Sequence, residues 1–303
     1  MNFSGVFPIL ATPFHADGAL DLDSLRRLVE FMAGLGVEGV TVLGVLGESN
    51  RMLDAEREAI VRATVSAAAG RTRVIVGASH AGTAATVGLC RMAADLGADA
   101  VMVAPSAEPV PNDARVFDYF RQVAAGSPLP IVAQDHPAST QVHMPVALLL
   151  RLVEEIPQIA CIKAEAPPTP VRIAALAAGM RGRQVPMLTG LGALYGWFDL
   201  DAGAAGFNTG FAFPEVLQAM WRALRGGERD EAWRLYARYL PLLVFEQQPG
   251  VAVRKELLRM RGLLDCAHVR HPGAGLAEPA ARQLRETVER LLPGVDITRP
   301  LMP

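Results

Sequence analysis

Of the 29 basic residues in this chain only two are lysines, Lys163 and Lys255; all the others are arginine. Lys163 closes the apolar run Ile159-Ala160-Cys161-Ile162-Lys163, which has strand character. A surface charge does not belong in such a run. Two readings stand level there: a strand-end lysine whose stem is buried and whose head reaches water, or a nucleophile. An ammonium stripped of water loses stability, so its pKa falls and neutral amine becomes available near pH 7. Its attack on a ketone gives an iminium, an electron sink for breaking the bond β to it. Arginine cannot do this, because guanidinium stays protonated. Lys255 lies in the charged run Arg254-Lys255-Glu256 and reads as part of a solvated helix face.

Other chemistries find little support. His268-Val269-Arg270-His271 is the one close histidine pair and falls in a helical region, so no metal site is expected. P-loop, CxxC and GxSxG patterns are absent, and no cofactor is called for. The segment Gly44-Val45-Leu46-Gly47-Glu48 is more informative. Two flanking glycines let the backbone turn sharply and aim successive N–H groups inward, a nest suited to a carboxylate. Taken alone, a plain strand-to-helix turn explains it better.

Short β-rich runs alternate with helical patterns as far as Arg225. Strands are expected at Gly5 to Ala11, Gly39 to Leu43, Arg73 to Gly77, Ala100 to Ala104, Pro130 to Ala133, Ile159 to Lys163, Val185 to Thr189 and Ala204 to Asn208. Helices follow each of them, among them Asp54 to Ala69 with Asp54 as N-cap and Pro145 to Glu154 with Pro145 in the first turn. Continuous apolar strands in series with helices imply a parallel sheet, and eight units imply closure into a (β/α)8 TIM barrel over residues 1–225. An open doubly wound sheet would carry a Gly-rich loop after its first strand, where this chain has Thr12-Pro13-Phe14. Residues 226–303 read as an all-helical extension packed on the barrel.

Barrel chemistry sits at the C-terminal ends of the strands. Here those ends collect Gly44 to Ser49, Ser79-His80, Pro105-Ser106, Gln134 to Pro137, Lys163 to Glu165, Gly190 and Asn208-Thr209. Side chains alternate along a strand, so Gln134 and His136 point one way and Asp135 the other. Glu165 bears the same two-residue relation to Lys163.

The turn Gly44-Val45-Leu46-Gly47-Glu48-Ser49, the strand ending Ile162-Lys163, the stretch Gln134-Asp135-His136-Pro137 and Gly190 resemble the dihydrodipicolinate synthase / N-acetylneuraminate lyase superfamily. The resemblance runs over nearly the whole chain. It implies a class I aldolase, dehydratase or synthase acting on pyruvate or 2-keto-3-deoxy acids, usually as a homotetramer. It makes Lys163 the Schiff-base lysine, the backbone of Val45 and Leu46 the binder of the 2-oxo acid carboxylate, and Gly190 a substrate-proximal glycine. Asn208, at the end of the eighth strand, joins the substrate-binding set.

The chain also departs from that pattern. Val45 and Leu46 stand where the family has threonine or serine, so hydroxyl donors are lost while backbone donors survive. The family's catalytic tyrosine is Gln134, and an amide cannot shuttle protons as a phenol can. The arginine that dihydrodipicolinate synthases carry two residues after the proline is Ser139. Their tyrosine from the end of the fourth strand is Ser106 or Ala107. His136 is then the first candidate for general acid or base, Glu165 the second, and a water held by Gln134 the third.

Apolar residues make up 51% of the sequence and the net charge is −2, giving no electrostatic reason to expect nucleic acid or anionic lipid as partner. No apolar stretch has membrane-spanning length, and Pro8, Pro13 and His15 interrupt any secretory start. Cys90, Cys161 and Cys266 are few and odd in number, as in a reducing compartment, and a cytoplasmic location is expected. The expectation is a lyase that cleaves or dehydrates a 2-keto-3-deoxy sugar acid. The competing readings are 4-hydroxy-tetrahydrodipicolinate synthesis and a lapsed barrel that only binds 2-oxo acids.

Overall fold

The computed structural model describes residues 1–106, 112–248 and 250–303. Its elements run β1 (Gly5–Val6), α1 (Leu22–Gly34), β2 (Gly39–Val42), α2 (Asp54–Ala68), β3 (Arg73–Gly77), α3 (Thr83–Asp95), β4 (Ala100–Val103), α4 (Asp113–Gly126) and β5 (Ile131–Asp135). They continue with α5 (Pro137–Thr140), α6 (Val146–Glu155), β6 (Ile159–Ala164), α7 (Thr169–Gly179), β7 (Met187–Thr189), α8 (Gly196–Asp201), β8 (Gly206–Phe207) and α9 (Pro214–Arg225). The helices α10 (Arg229–Phe245), α11 (Val251–Met260) and α12 (Glu278–Leu291) complete the chain.

All strand pairs are parallel, in the order β1-β8-β7-β6-β5-β4-β3-β2. The ring closes just beyond β1, where Ile9 bridges Thr41 and Leu10 N–H donates to the Thr41 carbonyl at 2.8 Å. This is a (β/α)8 barrel with a C-terminal helical extension. Its helices form because their apolar residues recur on one face: Leu25, Leu28, Val29 and Met32 of α1 are buried, and Asp21 caps that helix by accepting from Ser24 N–H.

Inside the barrel Phe3, Phe7, Ile75, Met102, Val132, Cys161 and Leu188 pack together. Strand alternation puts Gln134 and Lys163 one layer above Val132 and Cys161, at the C-terminal mouth. The two are direct cross-strand partners in the β5–β6 register.

Local details differ from the sequence reading. The strand β5 runs on to Asp135, since its polar end is buried against β6. The short α5 follows it and was not expected. Leu53, not Asp54, occupies the N-cap of α2, where its N–H donates to Glu56 Oε2 at 2.9 Å. Pro145 is itself the N-cap of α6.

The extension is tied to the barrel by buried polar bonds. Arg261, fully buried at the end of α11, donates to Glu215 Oε1 of α9 at 2.6 Å and to the Ala212 carbonyl. No helix among the described residues is long and apolar enough to cross a membrane.

Candidate active site

Lys163 is 2% exposed, and its ammonium faces one carboxylate: Nζ lies 3.2 Å from Glu165 Oε2. Burial lowers the amine's pKa; Glu165 pulls it back up, and the Arg254 charge lowers it further. Glu165 is held on both oxygens. Gln134 Nε2 donates to Oε2 at 2.8 Å, and Leu191 N–H donates to Oε1 at 3.0 Å. Burial by itself would raise the Glu165 pKa, but Lys163, His136 and these two donors outweigh it and keep it below its ordinary value. Glu165 is thus a fixed carboxylate within proton-transfer distance of the amine.

Gly190 gives this arrangement its room. A β-carbon there would come within 2.1 Å of Glu165 Oε1 and 2.4 Å of its Cδ. The glycine seats the carboxylate, a role distinct from the substrate contact expected for it. Leu191, just beyond, has φ 50 and turns its N–H toward Glu165.

His136 follows β5 and is half-buried, with Nδ1 2.6 Å from Ser139 Oγ. Burial lowers its pKa; Glu165 and Asp135 raise it and Lys163 lowers it, so the ring stands within electrostatic reach of the amine–carboxylate pair. Asp135 turns the other way, as strand alternation requires, and pairs with Arg172 Nη2 at 2.7 Å. Gln134 commits one amide N–H to Glu165.

Asn208 has its side-chain nitrogen engaged by the barrel, while its Oδ1 has no hydrogen-bond partner among the described residues. It is fully buried, and its Nδ2 donates to the Phe7 carbonyl and to Thr41 Oγ1, both at 2.9 Å. That nitrogen binds β8 to the start of the barrel and has no proton left for a substrate.

The glycine-flanked turn forms a single 3-10 turn over Val45–Gly47, in which Gly47 N–H donates to the Gly44 carbonyl at 3.0 Å and Glu48 N–H to that of Val45 at 3.1 Å. The N–H groups of Val45 and Leu46 open the turn and are not used within it. Glu48 does not face the mouth. Its Oε1 lies 2.5 Å from Lys255 Nζ, and both residues are buried. Lys255 is therefore not on a solvated face: it also donates to the His268 carbonyl at 2.6 Å and lies over the Phe14 ring. Burial lowers its pKa to about 8. A cavity of about 320 Å³ opens beside Gln134, and its wall carries Gly44, Val45, Ser49, Ser79, His80, Ser106, Ser139 and Thr140.

The model of the dihydrodipicolinate synthetase family matches residues 2–291. The chain belongs to that family. An L-2-keto-3-deoxyarabonate dehydratase from Azospirillum brasilense is 34% identical over 296 residues, covering 95% of this chain and 94% of the relative. A 4-hydroxy-tetrahydrodipicolinate synthase from Xanthomonas axonopodis pv. citri is 33% identical, with 94% of each covered. The crystal structure of dihydrodipicolinate synthase from Rhodopseudomonas palustris superposes with a TM-score of 0.90 at 36% identity, covering 95% of this chain and 97% of that one. This family member is an enzyme of the class I, Schiff-base lyase type that acts on a 2-oxo acid.

Within the family frame, Ser139 occupies the expected arginine position and supports His136, while Ala107 lies outside the described residues. Sequence reasoning missed two residues of the site's surroundings, Lys255 and Arg254. Both lie on α11 and are placed by contacts that leave no local pattern, Lys255 against Glu48 and Arg254 beside Gly192 and Gly210. The one available signal was that Lys255 is half of the chain's lysine content.

Proposed function

We propose that the enzyme dehydrates a 2-keto-3-deoxy sugar acid through an iminium on Lys163. The observation that carries this is the Glu165 carboxylate 3.2 Å from Lys163 Nζ, fixed by Gln134 and Leu191. It supplies a proton carrier where the family's phenol is missing. Glu165 first takes the proton that leaves Lys163 neutral. Nζ adds to the C2 ketone and water departs, giving the iminium. C3 is bonded to the iminium carbon, so a base beside Nζ can remove a C3 proton and give the enamine. Expulsion of the C4 hydroxyl, protonated as it leaves, gives the unsaturated iminium, which water hydrolyses to release the product and regenerate the amine. His136 is the candidate donor for the departing hydroxyl, and the Val45 and Leu46 N–H groups are candidates for the carboxylate.

Two further points support this reading. The cavity wall carries five hydroxyl side chains, Ser49, Ser79, Ser106, Ser139 and Thr140, which suit a polyol chain. The dehydratase relative aligns over nearly the full chain. Retro-aldol cleavage shares the iminium, but its base must reach the C4 hydroxyl, which lies farther from Nζ than the C3 proton.

The test is borohydride trapping with pyruvate, followed by peptide mapping and a panel of 2-keto-3-deoxy acids. The adduct is expected on Lys163 and lost in Lys163→Arg, which keeps the charge and removes the nucleophile. An adduct on Lys255, or none, defeats the covalent mechanism.

A further inference from the structure

The chemistry proposed above makes no use of Arg254. Arg254, on α11, is 5% exposed, and its Nε lies 3.1 Å from Oε2 of the fully buried Glu246. Glu246 Oε1 accepts from Ala212 N–H at 3.2 Å. The Nε–Oε2 contact is sealed from solvent and is an ion pair without hydrogen-bond geometry, so it is the Nε edge that Glu246 occupies and not the two terminal nitrogens.

The neighbouring glycines show where those nitrogens lie. A β-carbon on Gly192 would come within 2.7 Å of Arg254 Nη2, and one on Gly210 would meet Arg254 Cδ at 3.5 Å and Leu46 Cδ1 at 2.1 Å. Gly192 belongs to the turn after β7 that brings Leu191 N–H to Glu165; Gly210 follows β8; Leu46 lies in the turn after β2. The guanidinium thus lies beside the turns that follow β2, β7 and β8. Its charge reaches Lys163.

A 2-oxo acid held as an iminium on Lys163 carries its carboxylate on the carbon next to the iminium carbon. Val45 and Leu46 offer that group backbone donors but no hydroxyl. We propose that Arg254 is the carboxylate anchor of the 2-oxo acid, reaching the mouth from the helical extension and replacing the hydroxyl donors absent at positions 45 and 46. The assignment rests on the Schiff-base reading above. Guanidinium presents a planar pair of donors that matches a carboxylate, and terminal protons without a protein partner are completed by such a group. Burial pushes the Glu246 pKa up, and the Arg254 charge beside it pulls it down.

The experiment compares pyruvate with methyl pyruvate, the same ketone without the charge, by their half-saturating concentrations for borohydride trapping. Wild-type enzyme is measured first. Failure to trap pyruvate at Lys163 there refutes the Schiff-base reading itself, before Arg254 is in question. The variants are Arg254→Lys and the double variant Arg254→Gln/Glu246→Gln, which leaves no buried carboxylate unpaired; melting curves establish that each is folded. Loss of a charge-assisted bidentate contact is expected to raise the pyruvate value about 10–100-fold in the double variant, with methyl pyruvate changing less than about 3-fold and Arg254→Lys falling between. An equal rise for both ketones makes Arg254 a support of Lys163 and overturns the proposal, as does an unchanged pyruvate value. If the double variant does not fold, Arg254→Lys decides by the same criterion: a selective rise for pyruvate supports the anchor, and any other result overturns it.

Discussion

At the level of single residues the site turns on one carboxylate. Glu165 is within reach of the amine, and Gln134, Leu191 and Gly190 all serve to hold it there. The Glu165→Gln variant separates its two effects. Its negative charge raises the Lys163 pKa against the lowering by burial, so removing it should shift the midpoint of the pH dependence of trapping to lower pH. Loss of the proton carrier should meanwhile reduce kcat by about 10²–10⁴-fold. An upward shift of that midpoint, measured by trapping rate across pH, contradicts the pairing. Gly190→Ala probes the same carboxylate from the other side. Its backbone angles, φ −123 and ψ −131, lie outside the positive-φ region that favours glycine, so the added methyl acts through its overlap with Glu165. The variant should fold, keep its lysine adduct, and lose kcat to an extent comparable with Glu165→Gln. Wild-type kcat in Gly190→Ala would mean that Glu165 can move without consequence. Lys163 and Glu165 were legible in the sequence because chain-local features mark them: an apolar strand and a two-residue alternation. The purpose of Gly190 was not, because it depends on a side chain from the neighbouring strand.

At the level of elements, the eight strand–helix units were readable because strands covered on both faces are continuously apolar and the helices between them keep their own period. What escaped was how α11 meets the turns that follow the strands. Its sequence Arg254-Lys255-Glu256 looks like an exposed charged turn, yet Arg254 and Lys255 are buried with glutamates from elsewhere in the chain, and Glu256 is less buried than either. Charge content was a poor guide there because partners distant in sequence decide whether a charged side chain can be buried. The Lys255–Glu48 pair holds the glycine-flanked turn against the extension, with Arg51 Nη1 2.6 Å from the other Glu48 oxygen. Lys255→Met should destabilise the fold by less than the about 3–5 kcal/mol that an uncompensated buried charge costs, because Arg51 and the Arg270 N–H still face the Glu48 carboxylate. Lys255→Met combined with Glu48→Gln should recover part of that loss. Denaturant melts of the two variants test this, and a single variant as stable as wild type would show that the pair does not lock the turn.

For the whole molecule, the question is which second reactant or leaving group the mouth admits. Dihydrodipicolinate synthesis joins pyruvate to an aldehyde that carries its own carboxylate, and that carboxylate needs a cation at the rim. The loop after β5 carries Ser139, engaged with His136, and the nearby Arg172 of α7 is engaged with Asp135 and with the Met144 carbonyl. Arg254, beside the turns after β2, β7 and β8, is assigned to the carboxylate of the first acid. The remaining wall is lined with hydroxyls, which can bond a sugar chain but compensate a second negative charge poorly. The enzyme should therefore turn over pyruvate with aspartate semialdehyde at a catalytic efficiency below about 10⁴ M⁻¹s⁻¹, the low end of ordinary enzymes, while dehydrating at least one 2-keto-3-deoxy sugar acid above that value. A coupled assay for the first reaction and product analysis for the second measure both on one preparation. Efficient condensation would show that the mouth binds a second carboxylate without an arginine at position 139. Cleavage products from the sugar acid in place of a dehydrated one would move the base from C3 to the C4 hydroxyl. Neither outcome would alter the assignment of Lys163, because both reactions pass through the same iminium.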